Sequence, residues 1–257
     1  LVVWVGCGLI SMLGALSSAE LGAMLPQAGG PYVYLKAAYG PLTAFLWGWI
    51  EFWVARTGST AALSVAFTGR LAQLFESLAG PENEWARKGV AVVAISFLVA
   101  INLVGTRWGG YVQSVTTCIK AGSLIALMLL PFVFGHFELA NLATTAPIKA
   151  ASIWVGIGGA MGSVFWAYDG WGNIGPVAEE VREPGRNIPI ALIGGLFLLI
   201  TLYVGVTVAY HLVMPMSDLQ AVDRPFFVAQ VACERMLGPI GGSLAIAAVI
   251  CSTFGAL

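Results

Sequence analysis

Apolar positions follow one another along this chain in long runs, at approximately 1–24, 41–72, 88–105, 111–135, 152–177, 189–214 and 238–257. A hydrocarbon core about 30 Å thick takes roughly 20 apolar residues of helix, so each run predicts a membrane span, the last of them cut short. The polar punctuation between runs is brief. "PQAGGPYVYLKAAYGP" brackets an aromatic amphipathic stretch with Gly29-Gly30-Pro31 and Pro41, and "EEVREPGRNIP" places Pro184 and Pro189 ahead of the sixth run; both are helix stop-and-start signals. The longest connection, about 215–237, has room for a short interfacial helix. The fifth run stands apart. "FWAYDGWGNIGPVAEE", Phe165 to Glu180, sets an aspartate and three glycines where a spanning helix should continue.

Composition agrees with a membrane protein: 58% of the 257 residues are hydrophobic, 10% are charged, and the mean hydropathy is +0.86, far from an ordinary soluble domain. A net charge of −1 with no basic cluster lacks the electrostatic footprint of nucleic-acid binding. Cys7, Cys118 and Cys251 lie in apolar stretches and Cys233 in a polar one, which makes neither a disulfide framework nor a metal-ligand spacing. Lysines and arginines show no clear bias to one side, so charge does not give the orientation. The first residue is not Met, no signal-peptide flank precedes the first run, and the last run stops abruptly, so the chain reads as one transmembrane domain, 1–257, truncated at both ends.

Most polar positions inside the runs read as packing devices: Gly14, Ser18 and Gly22 are spaced by four, as are Gly158 and Gly162, which lets helix backbones approach closely. Ionisable groups at mid-depth differ, because each is costly unless it faces protein, water or a partner. Lys120 lies near half-depth of the fourth run, with Gln113, Thr116, Thr117 and Ser123 on its helical face. It is either a structural ammonium satisfied by neighbouring carbonyls or the fixed cation of a transport site. Arg56, edged by Thr57, Thr60 and Ser64, has a side chain long enough to snorkel. At the break, Ala167 to Gly170 with Gly172 and Gly175 are poorly suited to continue a helix. Non-helical backbone is tolerated at that depth only beside protein or a water-filled cavity. Such a break exposes carbonyls of one half-helix and N–H groups of the next, suited to a ligand with ammonium and carboxylate ends. A plain glycine kink, with Asp169 capping the second half, is the other reading of the same residues.

Taken together, these stretches resemble one family. "FWAYDGWGNIGPVAEEVREPGRNIPIA" resembles the sixth helix and following loop of the amino acid-polyamine-organocation transporters, L-type amino acid transporter branch. "SSAELGAMLPQAGGPYVYLKAAYGP" is similar to that family's second helix and first cytoplasmic loop, "VGTRWGGYVQSVTTCIK" to its fifth helix, and "STFGAL" to its eighth. The resemblance implies an all-α polytopic fold of inverted five-helix repeats, of which this chain supplies helices two to eight, with a discontinuous sixth helix and both loops cytoplasmic. It places the family's broken first helix, which holds the substrate carboxylate, before Leu1, so the fragment alone is expected neither to bind nor to transport. It implies a substrate site at Phe165, Trp166, Ala167, Tyr168, Asp169 and Gly170, where Trp166 matches an aromatic gate and Ala167 to Gly170 match backbone that receives the substrate amine. It also implies that Lys120, near Ser252 and Thr253, stands where sodium-coupled relatives hold sodium. Asp169 replaces a glycine, and Gly172 an asparagine, of well-known animal members, which leaves the side-chain preference open.

The function expected from this resemblance is sodium-independent amino acid exchange by alternating access in the plasma or inner membrane, without cofactor, metal or nucleic acid. Proton-coupled uptake of amino acids or a polyamine is the alternative, and a non-transporting amino acid sensor a further one. An intramembrane aspartyl protease would need a second intramembrane aspartate beside Asp169, and Asp218 and Asp223 fall in a polar connection. "RLAQLFESLAGPENEWARKG", the loop that carries the accessory-subunit cysteine in animal members, has no cysteine; a stand-alone transporter is expected.

Overall fold

A computed structural model describes residues 1–135, 137–144, 152–222 and 227–257; Asp223 lies outside them. Every regular element among these is helical, and the protein is an all-α polytopic membrane protein. Val2–Met24 (α1), Pro81–Val104, Trp108–Val133 and Pro184–Val213 are helical segments long and apolar enough to cross a bilayer. The other predicted spans are helical but divided or short. The second run is Pro41–Ile50 (α3), a π-helical stretch Glu51–Arg56, and Thr57–Leu74 (α4). The fifth is Ile153–Tyr168 (α7) followed by a 3₁₀ stretch Trp171–Glu180, and the seventh is Pro239–Phe254 (α11). Glu84–Val104 is α5, Thr106–Val133 α6 and Pro184–Val213 α8.

Local sequence explains the boundaries. The amphipathic stretch forms a helix of its own, Pro31–Tyr39 (α2), and Gly40 at φ 87° both ends it and caps α3, a backbone conformation that favours glycine. Proline opens α2, α3 and α11, where its missing N–H costs nothing. Among its described residues the connection after α8 holds two α-helices where one was expected, Met216–Ala221 (α9) and Val228–Leu237 (α10). A 3₁₀ run of ten residues is unusually long; Gly172, Gly175 and Pro176 oppose an α-helix there, by backbone entropy and by the lost donor.

The chain divides into two compact units: Leu1–Phe52 with the described part of Thr145–Val208, and Trp53–Thr144 with Ala209–Leu257. In the first, α1 packs on α7 through Cys7, Ala15, Val164 and Tyr168, with Leu196 of α8 completing the cluster. The small-residue spacing acts on α1, where a Cβ at Gly14 would meet Trp171 and one at Gly22 would meet the Tyr34 hydroxyl, whereas Gly158 and Gly162 have no neighbour within 4 Å of that position among the described residues. In the second unit, α10 and α11 pack around Met214, Ala232, Cys233, Met236 and Ala245, so Cys233 is buried despite its polar sequence setting. The Arg235 guanidinium donates to Asp218 at 2.6 Å and holds that carboxyl below the usual carboxylate range.

One close approach fixes the 3₁₀ stretch. A Cβ on Gly175 would stand 2.7 Å from Gly30 Cα, backbone against backbone, where nothing flexible can give way. Gly175→Ala in the full-length protein should therefore lower its thermal midpoint in detergent by about 2–8 °C, the effect of roughly 1–3 kcal/mol of overpacking. Gly172→Ala, whose Cβ enters open space, should leave the midpoint within about 1 °C, since only the small backbone-entropy effect remains. Equal midpoints for the two variants would show that the Gly30–Gly175 contact sets nothing.

Candidate functional site

The break lies two residues later than its composition suggests. Ala167 and Tyr168 stay in α7; Asp169 turns extended (φ −66°, ψ 160°), and Gly170 takes a left-handed conformation at φ 111°. Alanine and tyrosine tolerate the helix, while the positive φ is the step that needs glycine. Asp169 is thus the residue that ends α7. Gly170 precedes the 3₁₀ stretch, and no side chain caps that stretch, so the expectation of Asp169 capping the second half is not met.

The last turn of a helix leaves carbonyls without intrahelical donors, and the protein answers Trp166 O and Ala167 O among them. Asp169 N–H donates to Trp166 O at 3.3 Å, and the Tyr203 hydroxyl on α8 donates to Ala167 O at 3.3 Å. Beyond the break, Asn173 N–H donates to Gly170 O at 3.0 Å. Tyr168 is 1% exposed; its hydroxyl turns to α1 and donates to Trp4 O at 3.1 Å. The rings of Trp4, Tyr168 and Tyr203 form a triangle with centroids 5.8, 5.2 and 5.4 Å apart.

Other residues of the predicted site face differently. Trp166 is 58% exposed, Asp169 is exposed, and Phe165, Ala167 and Gly170 are partly buried. Asp169 opens on a cavity of about 350 Å³ together with Ser18, Tyr34, Trp47, Trp171 and Gly172. It is mostly apolar with a few convergent polar groups, the usual character of a small-ligand site. Sequence reasoning missed Tyr203, Tyr34 and Trp47. The signal for Tyr203 was a phenol within an apolar run, which must find a partner.

Lys120, Ser252 and Thr253 belong to the second unit. There α6 packs against α11, and a Cβ on Gly255 would collide with Thr116, one turn before Lys120. Lys120 is partly buried, and its carbonyl accepts the Ser123 hydroxyl at 2.8 Å. Thr116 and Thr253 donate to carbonyls of their own helices. The polar stripe is split: Thr116, Lys120 and Ser123 are at least partly covered, while Gln113 and Thr117 are exposed among the described residues.

The sequence profile of the amino acid permease family matches residues 1–257. The mouse b(0,+)-type amino acid transporter 1 is 33% identical over 235 residues, 88% of this chain and 47% of that protein. The serine/threonine exchanger SteT of Bacillus subtilis (strain 168) is 30% identical over 257 residues, 100% of this chain and 56% of that protein. The human cystine/glutamate transporter is 31% identical over 265 aligned positions, 100% of this chain and 50% of that protein. The chain spans about half the length of these relatives.

Proposed function

The chain belongs to the amino acid permease family, and from that premise we propose that it is the part of a secondary transporter that carries one half of an amino acid site and the element that gates it. The whole protein exchanges amino acids across the plasma membrane, or the inner membrane of a bacterium, by alternating access and without sodium. It is a transporter and not an enzyme. The observation that carries this reading is the interruption of α7 at Asp169–Gly170, inside an apolar segment and beside a cavity. An interruption at that depth is stable only where protein or water satisfies the backbone, and the freed carbonyls of α7 suit a ligand ammonium.

Exchange, in place of one-way uptake, is supported by the relative named as an exchanger. A stand-alone protein is supported by the lack of cysteine between Arg70 and Gly89, where Arg87 ties the loop internally through the Leu78 and Gly80 carbonyls.

Single cysteines test the site in the full-length protein once Cys7, Cys118, Cys233 and Cys251 have been replaced. Ala167→Cys and Gly172→Cys should react with polar thiol reagents and be protected by a transported amino acid, whereas Leu198→Cys, on an exposed apolar face of α8, should be inert. Gly172 is chosen over Gly170 because its backbone accepts a side chain without strain. Inertness at 167 and 172 equal to that at 198 would remove the break from the transport path. Uptake driven by an imposed pH gradient without internal amino acid would replace exchange by proton coupling.

A further inference from the structure

We propose that the groove between α1 and α8 is a lipid seat selective for a phospholipid whose headgroup ends in a primary ammonium, with Glu20 holding that ammonium and Arg186 the phosphate. The inference is independent of the transport reading and needs only that α1 and α8 lie in a bilayer.

The two helices run antiparallel, since a Cβ on Gly8 would meet Ile200 and one on Gly22 would meet Ile188. Along that seam lies a cavity of about 500 Å³, whose walls include Leu13, Leu16, Ser17 and Glu20 from α1 and Pro189 and Ile193 from α8. All six belong to the first compact unit. Leu13, Leu16 and Ile193 are exposed, so the deep part of the groove offers apolar surface to acyl chains. Glu20 stands at the shallow end, about 6 Å from the last residue of α1. It is exposed, and among the described residues its carboxylate has no hydrogen-bond or ion-pair partner. A carboxylate within an apolar span is costly until it is paired, so this end of the groove calls for a counter-charge from outside the chain.

The chemistry of that end selects the headgroup. An ionised carboxylate only accepts hydrogen bonds. The Ser17 hydroxyl, one turn away, donates its proton to Leu13 O at 3.2 Å, which leaves it lone pairs alone to offer. Two acceptors without a donor recognise an ammonium with three N–H groups; a trimethylated ammonium has none. Arg186 shares the α8 face of Pro189 and Ile193, at spacings of three and seven residues, one turn nearer the start of the helix. It is exposed, its side chain likewise has no partner among the described residues, and a guanidinium suits a phosphate. Carboxylate and guanidinium thus stand at the same end of an antiparallel helix pair without joining each other. A headgroup that carries an ammonium next to a phosphate complements both.

The test uses the full-length protein, delipidated in detergent and titrated with phosphatidylethanolamine or with phosphatidylcholine of the same acyl chains, the bound lipid being counted by native mass spectrometry. The parent should hold phosphatidylethanolamine about tenfold more tightly than phosphatidylcholine, the scale of one charge-assisted hydrogen bond. Glu20→Gln should bring the two lipids within about twofold by weakening the first alone. Arg186→Gln should weaken both by about three- to tenfold, since both carry the phosphate. Equal retention of the two lipids by the parent overturns the proposal, and filling of the groove by another part of the full-length chain gives that result. A preference that survives Glu20→Gln overturns it too, because the selecting site then lies elsewhere. Should Glu20→Gln yield no monodisperse protein, Leu16→Trp, which fills the apolar part of the groove, should weaken phosphatidylethanolamine by about fivefold or more; unchanged retention in that variant sinks the assignment.

Discussion

Lys120→Ala in the full-length transporter is expected to fold, to elute as a single monodisperse peak, and to lose amino acid flux by about ten- to a hundredfold. The ammonium is partly buried on α6, and no carboxylate among the described residues is within ion-pair distance of it. A charge at that depth persists only with partners, and its three donors suit backbone carbonyls and hydroxyls. Removing it leaves those acceptors unpaired, at about 1–3 kcal/mol each, and 1.4 kcal/mol is a factor of ten in a population. In a protein that alternates between two states, that shift is read as lost turnover. Flux into proteoliposomes, in sodium-free and sodium-containing buffer, decides the matter. A parent that requires sodium, or an alanine variant with undiminished flux, sinks the proposal that the lysine takes the place of a bound cation. Loss of folded protein makes Lys120 a structural ammonium.

Trp166→Ala should raise KM by about thirtyfold or leave transport undetectable, and Trp166→Phe should stay within about threefold of the parent, on the scale of 2–3 kcal/mol for a large aromatic face buried against a ligand. Trp166 lies two residues before the end of α7, on the helix whose freed carbonyls are proposed to hold the amine. It is 58% exposed, which leaves apolar surface available to a ligand. An aromatic lid is effective once the amine is held by backbone, because the fixed end then determines where the side chain of the ligand lies. Concentration-dependent exchange by the parent and both variants, with reconstituted protein matched, measures this. Identical kinetics in Trp166→Ala would reduce the residue to lipid-facing surface.

The spans were readable because they depend on composition over 20 residues: the run at 1–24 is α1 at Val2–Met24, and that at 189–214 belongs to α8. The π-helical stretch Glu51–Arg56 was not. It changes hydrogen-bond register without changing hydropathy, and period-based reading averages over it. The break was legible as a region, since glycines and an acid within an apolar run weaken a helix by backbone entropy and by the cost of a buried charge. Its exact residue was set by the positive φ at Gly170. Tyr203 and Ala167 meet across 36 positions, and local pattern does not pair residues so distant. Lys120 stands out in the sequence as an ionisable residue inside an apolar run, but which of its stripe neighbours are covered depends on how α6 meets α11.

The bond from Tyr168 to Trp4 spans 164 positions, and this makes the site a late product of biosynthesis. At about 5–20 residues per second, Trp4 is polymerised roughly 8–33 s before Tyr168. During that interval α1 waits in the bilayer with Ser11, Ala15 and Ala19, the face that is buried in the finished protein, still uncovered. Gly8, whose Cβ would strike Ile200 and the Tyr168 hydroxyl, keeps that face open for the helices that arrive later. A bulky residue there would act during insertion and quality control, lowering the number of assembled molecules while those that do assemble turn over at an ordinary rate.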